Sequence, residues 1–434
     1  MAENNGIATL CNAAPDTGIE VFDNIRKDAA RAVAGIEFPS VRHEDWRFTN
    51  LAPVEKAGYK LPAANGGLKG KGFDDRLIKG LGAPALVFVN GVFAPALSSP
   101  RETETAAVLP LSAAAKKHGG EVARRLGSLS DCKTEFFTAL NTALFEDGAF
   151  VLIPEGKTEK EPVYIVHISS AGDTPSVTAA RNLIVAGDGA RAAVVEHYIS
   201  ADDGNCLSNN LSEVFIGEGG DVEHYRLEFE NTGGVHVSTL NMTQERDSNA
   251  RSHSVLAGGR IVRNNVHPVL AGRGCDSIIN GLFMPDGNRH MDNFMKVEHA
   301  APHCGSRQIY NGVLNEKGRG VFHGRIVVHK GAVKTDAKQT NRNLLLSDAA
   351  RIDTKPQLEI YNDDVKCTHG ATIGQMDEDS VFYLRSRGIP EKEARSVILR
   401  GFTGESISLM RSEPVRDFVE KESERWFNRA LENG

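Results

Sequence analysis

Cys367 and His369 stand two positions apart toward the C-terminus of this 434-residue chain, and both side-chain types bind metals. The surrounding run is strand-like, so the alternation of side chains along a strand would place the thiol and the imidazole on one face. Such a pair could share a soft or borderline metal ion such as Fe(II). Two ligands cannot complete a metal site, so a partner would have to supply the others. For Cys367 the alternative is a small buried apolar residue, a common role of a free cysteine.

His299, His303 and Cys304 form a second group of metal-binding side chains. Two histidines four residues apart can bind zinc when they lie on a helix. Pro302 and the strand-like surroundings work against a helix here. The pattern therefore favours packing or turn hydrogen bonds for these residues.

Motifs for nucleotide or nucleophilic chemistry are missing from the sequence. The stretch 67–72 contains glycines and lysines, but the Ser or Thr and the helix that complete a phosphate-binding loop do not follow. There is no Gly-x-Ser-x-Gly turn for a serine nucleophile. Any ATP hydrolysis linked to this protein is expected in a partner.

The composition is that of a globular protein, with 40% hydrophobic residues, 25% charged residues and a net charge of −7. A negative net charge argues against nucleic acid as the main partner, because phosphates attract basic surfaces. Six scattered cysteines without a Cys-x-x-Cys pair predict no disulfide framework and favour a reducing, cytoplasmic compartment. We expect no signal peptide in residues 1–12 and no membrane helix, since no apolar run is long enough.

The N-terminal part of the chain shows helical periodicity. Apolar residues recur at helical spacing over 19–33 and again over 135–146, and an apolar strand follows at 149–153. The Gly-, Lys- and Ala-rich stretch 61–72 is expected to form an exposed loop. We predict an α-rich region over 1–155.

From 156 to 375 the pattern changes to short apolar or alternating runs separated by Gly, Asp and Asn clusters. The turn-and-strand units begin near residues 220, 249, 275, 306, 333 and 365. A period of about 30 residues with two strands per repeat is typical of a parallel β-helix. A large antiparallel sandwich would also give regular short strands. The lack of clear two-residue hairpin turns favours the solenoid.

The last segment, 376–434, is predicted to be helical. Asp377 can cap a first helix, Pro390 can begin a second, and a third would begin near Pro414. The second is expected to end at Gly401. Its predicted inward-facing residues are Ala394, Val397 and Ile398. Helices at this place would also cover strand edges at the end of a solenoid.

Motifs spread over most of the chain occur in the order found in a known protein family. They are PSVRHEDWRFTNL at 39–51, LVFVNG at 86–91, LNTAL at 140–144 and a long stretch, 299–374, that includes KTDAKQTNRNLLL and KPQLEI. Together they resemble the SufB/SufD family, the core subunits of the SUF iron–sulfur cluster assembly system. The resemblance is weakest over 55–80 and 170–260.

The resemblance implies a mainly β fold: a right-handed parallel β-helix core flanked by an N-terminal helical region and a C-terminal helical domain. Family members pair through their β-helix ends, SufD with SufB or with itself, and bind the ATPase SufC through their C-terminal helices. The nascent cluster is built at the subunit junction. The implied partners are thus a SufB-like paralogue and a SufC-like ATPase. No tightly bound cofactor is expected, only iron or an Fe–S cluster shared transiently with the partner.

The resemblance also assigns roles to particular residues. The interface histidine of the family falls at His369, with Cys367 beside it. SufB carries a sulfur-accepting cysteine ahead of its Pro-x-x-Glu segment, but the corresponding stretch 348–359 has no cysteine here, which favours a SufD-type role. The expected ATPase-docking residues are Phe382, Tyr383, Arg385, Arg387 and Phe402. The alternative for this set is a helix packed on its own solenoid with solvated arginines.

Three functions are compatible with these patterns. The first is a non-catalytic scaffold subunit of a SUF complex, and the second is a self-paired assembly platform without metal contact. The third is a β-helix enzyme acting on polysaccharides, which the helical C-terminal segment and the lack of a signal peptide disfavour.

Overall fold

Two long parallel sheets form the body of the protein. The computed structural model describes residues 6–62 and 73–432, so the stretch 67–72 and most of the predicted loop at 61–72 lie outside the described residues. Within these ranges the helices are α1 (Gly6–Thr9), α2 (Glu20–Val33), α3 (Ala52–Glu55), α4 (Leu111–Lys117), α5 (Gly119–Arg125), α6 (Phe136–Leu144), α7 (Glu378–Ser386), α8 (Glu391–Ser408) and α9 (Glu413–Ala430). The strands of the first half are β1 (Leu86–Val89), β2 (Val92–Phe93), β3 (Arg101–Glu102), β4 (Ala107–Pro110), β5 (Ala149–Ile153), β6 (Val163–Ser169), β7 (Ser176–Ala186), β8 (Arg191–Ser200), β9 (Cys206–Ile216) and β10 (Asp221–Phe229). Those of the second half are β11 (Val235–Gln244), β12 (Asn249–Leu256), β13 (Ile261–Leu270), β14 (Asp276–Phe283), β15 (His290–His299), β16 (Gly305–Leu314), β17 (Arg319–Val328), β18 (Asp336–Leu345), β19 (Arg351–Ile360) and β20 (Lys366–Gln375).

Successive strands alternate between the two sheets, so the chain winds as a parallel β-solenoid with two strands per coil. Sheet I has the order β2-β1-β6-β8-β10-β12-β14-β16-β18-β20, and sheet II has the order β19-β17-β15-β13-β11-β9-β7-β5-β4-β3. From β10 onward the strands of sheet I begin close to the six predicted unit starts. The predicted solenoid is confirmed. The sandwich alternative is wrong, because antiparallel pairing within the described ranges is limited to β1–β2, β3–β4 and β4–β5.

Side chains at equivalent positions of neighbouring coils stack inside the solenoid. Ala192, Val222 and Ala250 follow one another in strict register on sheet I; Val222 and Ala250 are buried in one apolar cluster, and Ala192 packs against it. Burying a valine contributes roughly 1.5–3 kcal/mol. Each coil buries its inner face only when the next coil is present, which explains why the apolar pattern repeats along the chain.

The N-terminal helices pack against sheet II. The helices predicted over 19–33 and 135–146 are confirmed as α2 and α6, which bury their apolar residues in a common cluster. Gly148 connects α6 to β5, and a Cβ there would lie 1.9 Å from the Arg181 carbonyl oxygen, so the close approach requires glycine. Strands β1 and β5 already pair with β6 and β7, while the division between 155 and 156 stays a prediction.

The C-terminal helices α7, α8 and α9 cover the outer face of sheet I. Asp377 caps α7 as predicted, accepting a hydrogen bond from the Asp379 N–H at 3.2 Å. The predicted end of the second helix at Gly401 is wrong: α8 continues to Ser408. A helical glycine costs only about 1 kcal/mol, which packing of this helix against the sheet can offset. The prediction that Val397 faces inward is also wrong, since its side chain is 42% exposed.

None of the helices in the described ranges is long and apolar enough to cross a membrane.

The two ends of the solenoid differ. At the first end, each sheet terminates in a two-residue antiparallel strand, β2 or β3. At the other end, which we call the open end, the sheets terminate in β19 and β20, each ten residues long. No strand from residues 6–62 or 73–432 pairs with the outer edges of β19 and β20.

Candidate functional site at the open end

His369 and Cys367 lie on β20, on the same face of this terminal strand. In the register of β18 and β20, Cys367 pairs with Ala337 and His369 pairs with Gln339. Gln339 is buried and donates a hydrogen bond to Gln308 Oε1 at 2.7 Å. His369 therefore occupies the last position of a column of stacked polar side chains. It is exposed because no further coil covers it within the described part of the chain.

Cys367 is half-buried and lies next to apolar side chains. It packs, with Leu358 and Val365, against the small cluster formed by Ile326, Val328, Ala332 and Ala337. Burial raises the pKa of the Cys367 thiol above its ordinary value, and a protonated thiol is a poor metal ligand. This environment supports the apolar role for Cys367, and a metal-binding role for either residue stays a prediction.

Apolar side chains also project from the open end. Ile373 on β20 is 51% exposed, and Ile360 and Tyr361 at the end of β19 are exposed as well. Exposed apolar residues beside unpaired strand edges are typical of association surfaces. The sequence pattern did not single them out, although the repeat period indicated that the last coil lies there.

Four of the five predicted docking residues lie together on or just after α7. Phe382 is 71% exposed and Tyr383 is 58% exposed. The Arg387 guanidinium stacks 5.2 Å from the Tyr383 ring centroid, and Arg385 forms an ion pair with Glu391 at 3.3 Å. These contacts leave the two aromatic rings open to solvent.

Phe402 is separate from this group. It lies on α8 and is partly buried against the apolar cluster between the C-terminal helices and sheet I. Its carbonyl oxygen accepts a hydrogen bond from Asn311 Nδ2 at 3.1 Å. Phe402 thus helps to hold α8 on the sheet.

His299, His303 and Cys304 do not form a three-ligand metal group in the described structure. His299 is buried, and its Nε2 lies 2.8 Å from Ser306 Oγ. His303 is exposed on a turn with φ of 62°. The interpretation as packing and turn residues fits these positions.

Among the described residues, one group of three potential metal ligands is close enough to share an ion: Glu228, Glu230 and His236, all buried. Glu230 accepts hydrogen bonds from Ser208 Oγ at 2.6 Å and from His236 Nδ1 at 2.8 Å. Burial, with the neighbouring Glu230 charge, raises the pKa of Glu228 to about 8. Sequence spacing gave no signal for this cluster, because the turn after β10 brings His236 back toward the two glutamates.

The fold and the open end define a class of protein: a helix-flanked β-solenoid whose candidate site lies on an exposed terminal coil. Two family models match the chain: "SufBD protein N-terminal region" over residues 12–165, and "SUF system FeS cluster assembly, SufBD core domain" over residues 167–402. The chain belongs to the SufBD family of iron–sulfur cluster assembly proteins.

Individual relatives agree with this assignment. The chain is 33% identical to the iron–sulfur cluster assembly protein SufD of Escherichia coli over 386 residues, which is 88% of this chain and 87% of that protein. It is 31% identical to a SufBD family protein of Synechocystis over 395 residues, covering 89% of this chain and 86% of that one. SufD of Bacillus subtilis is 29% identical over 282 residues, 64% of either chain.

Proposed function

We propose that the chain is a non-catalytic scaffold subunit of a SUF complex in a reducing, cytoplasmic compartment. Its open end would pair with the corresponding end of a SufB-like paralogue or of a second copy. Its C-terminal domain, 376–434, would dock a SufC-like ATPase. A nascent cluster would be built as cargo at the subunit junction.

The open end is the observation that carries this proposal. Two ten-residue parallel strands with free outer edges can each accept a further strand, which would extend both sheets across a junction. Ile373 and Ile360 would then be covered by the partner, so apolar burial would add to main-chain hydrogen bonding. Pairing of this kind supports an assembly role better than an enclosed active site would.

His369 is the side chain that we propose to contact incoming iron. It is exposed now, but a partner coil stacked on β20 would enclose it at the junction. A neutral imidazole is a good ligand for Fe(II), and the partner would supply the remaining ligands. Cys367 would serve as a packing residue beside it, in keeping with its raised pKa.

Phe382 and Tyr383 form the proposed contact with the ATPase. Large aromatic side chains with this degree of exposure are common anchors in protein interfaces, where they fill a pocket on the partner. Arg387, held against the Tyr383 ring, keeps a positive charge at the border of the patch. Phe402 would support the position of α8 from behind.

Replacing His369 by Ala tests the proposal. Because His369 is exposed, the variant should fold and form the complex normally, but it should lose iron-dependent cluster assembly. The matched control is His329→Ala, which removes another exposed histidine that lies outside the terminal coil and pairs with Glu298.

The assay is iron and sulfide content of the complex, purified from cells that rely on this system, together with maturation of an Fe–S enzyme. Full activity of His369→Ala would contradict the iron role. Unchanged assembly together with normal pairing would instead favour the self-paired platform without metal contact.

A further inference from the structure

Cys275 and Cys304 are neighbours on successive coils. Each cysteine lies directly before a strand of sheet I, β14 or β16, and the following residues Asp276 and Gly305 are paired in register. The Gly305 N–H donates to the Cys275 carbonyl oxygen at 2.8 Å, which continues the same alignment. The two residues are 29 positions apart, one coil of the solenoid, so they stack although they are distant in sequence.

The two thiols converge on one acceptor. The Cys275 Sγ lies 3.0 Å from the Gly272 carbonyl oxygen, and the Cys304 Sγ lies 3.2 Å from the same atom. Neighbouring strands are about 4.8 Å apart, within the range of Cα separations of about 4.4–6.8 Å that a disulfide can span. The backbone alignment is thus compatible with a sulfur–sulfur bond.

The pKa of Cys275 is lowered, whereas the pKa of each of the other five cysteines is raised. A hydrogen bond from the Cys304 thiol lowers the pKa of Cys275, and the same contact raises the pKa of Cys304. Burial raises the pKa of Cys11, Cys206 and Cys367. Of the two sulfurs, Cys275 is thus the one that forms a thiolate more readily, and it has a second thiol next to it.

Access to the pair is restricted to small reagents. Both side chains are only 1% exposed, yet Arg273 and Asp276 on either side of Cys275 and His303 beside Cys304 are exposed. A peroxide therefore reaches the sulfur atoms when these exposed turns open locally, and it needs a smaller opening than a glutathione-sized disulfide does.

We propose that Cys275 and Cys304 form an oxidisable dithiol, at which a small peroxide produces one intramolecular disulfide. The Cys275 thiolate attacks one oxygen of hydrogen peroxide, the O–O bond breaks, and hydroxide leaves. The Cys304 sulfur then attacks the resulting sulfenic acid, forming the S–S bond and releasing the second oxygen as water. Two thiols lose two protons and two electrons, and one peroxide becomes two molecules of water. The product links two coils within sheet I.

Mass spectrometry of the full-length protein after hydrogen peroxide treatment tests this. Trypsin separates the two cysteines into the peptides 274–289 and 297–307, so an internal disulfide joins them without reduction. We expect this linked pair in the wild type and in Cys367→Ser. It should be absent from Cys275→Ser and Cys304→Ser. Two free peptides in the wild type, at a dose that oxidises Cys367, would overturn the proposal.

A second experiment tests which of the two cysteines reacts first with the peroxide. In Cys304→Ser, unfolding the peroxide-treated protein in the presence of dimedone should trap a sulfenic acid at Cys275, whereas Cys275→Ser should show little label at Cys304. Disulfide formation in the wild type should be several-fold faster at pH 8 than at pH 6, because the thiolate fraction of the attacking group rises with pH. A rate that does not depend on pH, or labelling of Cys304 alone, would refute Cys275 as the attacking group.

Discussion

Ile373→Glu is the substitution that tests the open end most directly. The side chain is 51% exposed on β20, so a glutamate there remains in water when the subunit is alone. In register, Ile373 sits on Asn343 of β18, on the inward-facing side of the terminal coil. A partner that extends the sheet would cover this position, and the new carboxylate would be buried without a positive charge to pair with it.

The expected loss of affinity follows from two contributions. Covering the exposed half of an isoleucine contributes about 1 kcal/mol to pairing, and this contribution disappears. Protonating the glutamate before burial costs about 3.7 kcal/mol at pH 7 for an ordinary pKa of about 4.3, and burying the neutral acid adds a further cost. Even a penalty of about 2.5 kcal/mol weakens the complex roughly 60-fold. At pH 5 protonation costs only about 1 kcal/mol, so much of the affinity should return.

Sedimentation velocity of the chain, alone and mixed with a SufB-like subunit, measures the effect. Ile373→Gln is the uncharged control, and its weaker defect should not depend on pH. Val92→Glu is the second control, because it places the same charge on an apolar residue that is 43% exposed on β2, at the opposite end of the solenoid. A pairing constant for Ile373→Glu that equals the wild-type value at pH 7 would refute the proposed junction.

Three further outcomes are expected. Phe382→Ala should weaken capture of the ATPase by about tenfold or more in a pull-down titration without lowering the melting temperature, since the ring is 71% exposed; a stable complex of unchanged affinity would exclude this contact. Glu213→Gln should lower the free energy of unfolding by about 3–5 kcal/mol, because it leaves the fully buried Arg181 charge without its partner at 2.9 Å. Glu218→Gln, in an exposed ion pair, should cost under about 1 kcal/mol, and equal losses for the two variants in urea titrations would contradict the argument. The free energy of unfolding should also fall as pH drops from about 6.5 to 4, because burial holds the pKa of several histidines below that of the unfolded chain, which takes up the protons first. These histidines are His167, His197, His267 and His299, with pKa values of about 4, 3, 4 and 4. Glu228 acts in the opposite direction: because its pKa is raised in the folded state, its protonation stabilises the fold as the pH falls toward the ordinary pKa of a glutamate. A free energy of unfolding that rises on acidification would show that the histidines do not dominate.

The solenoid could be predicted from sequence because one coil repeats about every 30 residues and each coil carries its own turn residues. The helix ends were less predictable. Gly401 predicts the end of a helix, but the packing of α8 on the sheet outweighs the local preference of glycine. The same packing decides which face of α8 points to the sheet, and Val397 lies on the exposed face.

The features of the candidate site likewise differ in how far they can be predicted from sequence. The shared face of Cys367 and His369 follows from strand alternation, which operates over two residues. The exposure of Ile373 and the contact between Cys275 and Cys304 depend on which coil is last and on the register between coils. The position of the last coil and the register between coils cannot be read from any short stretch of sequence.

The unequal ends of the solenoid limit how many copies can associate through these strands. A filament requires two adhesive surfaces per molecule, so that each added unit offers a new one. Here β2 and β3 are only two residues long and antiparallel, while β19 and β20 are ten residues long and parallel. If two copies join by their long edges as proposed, the described part of the pair presents the short edges, and we expect growth to stop after one step.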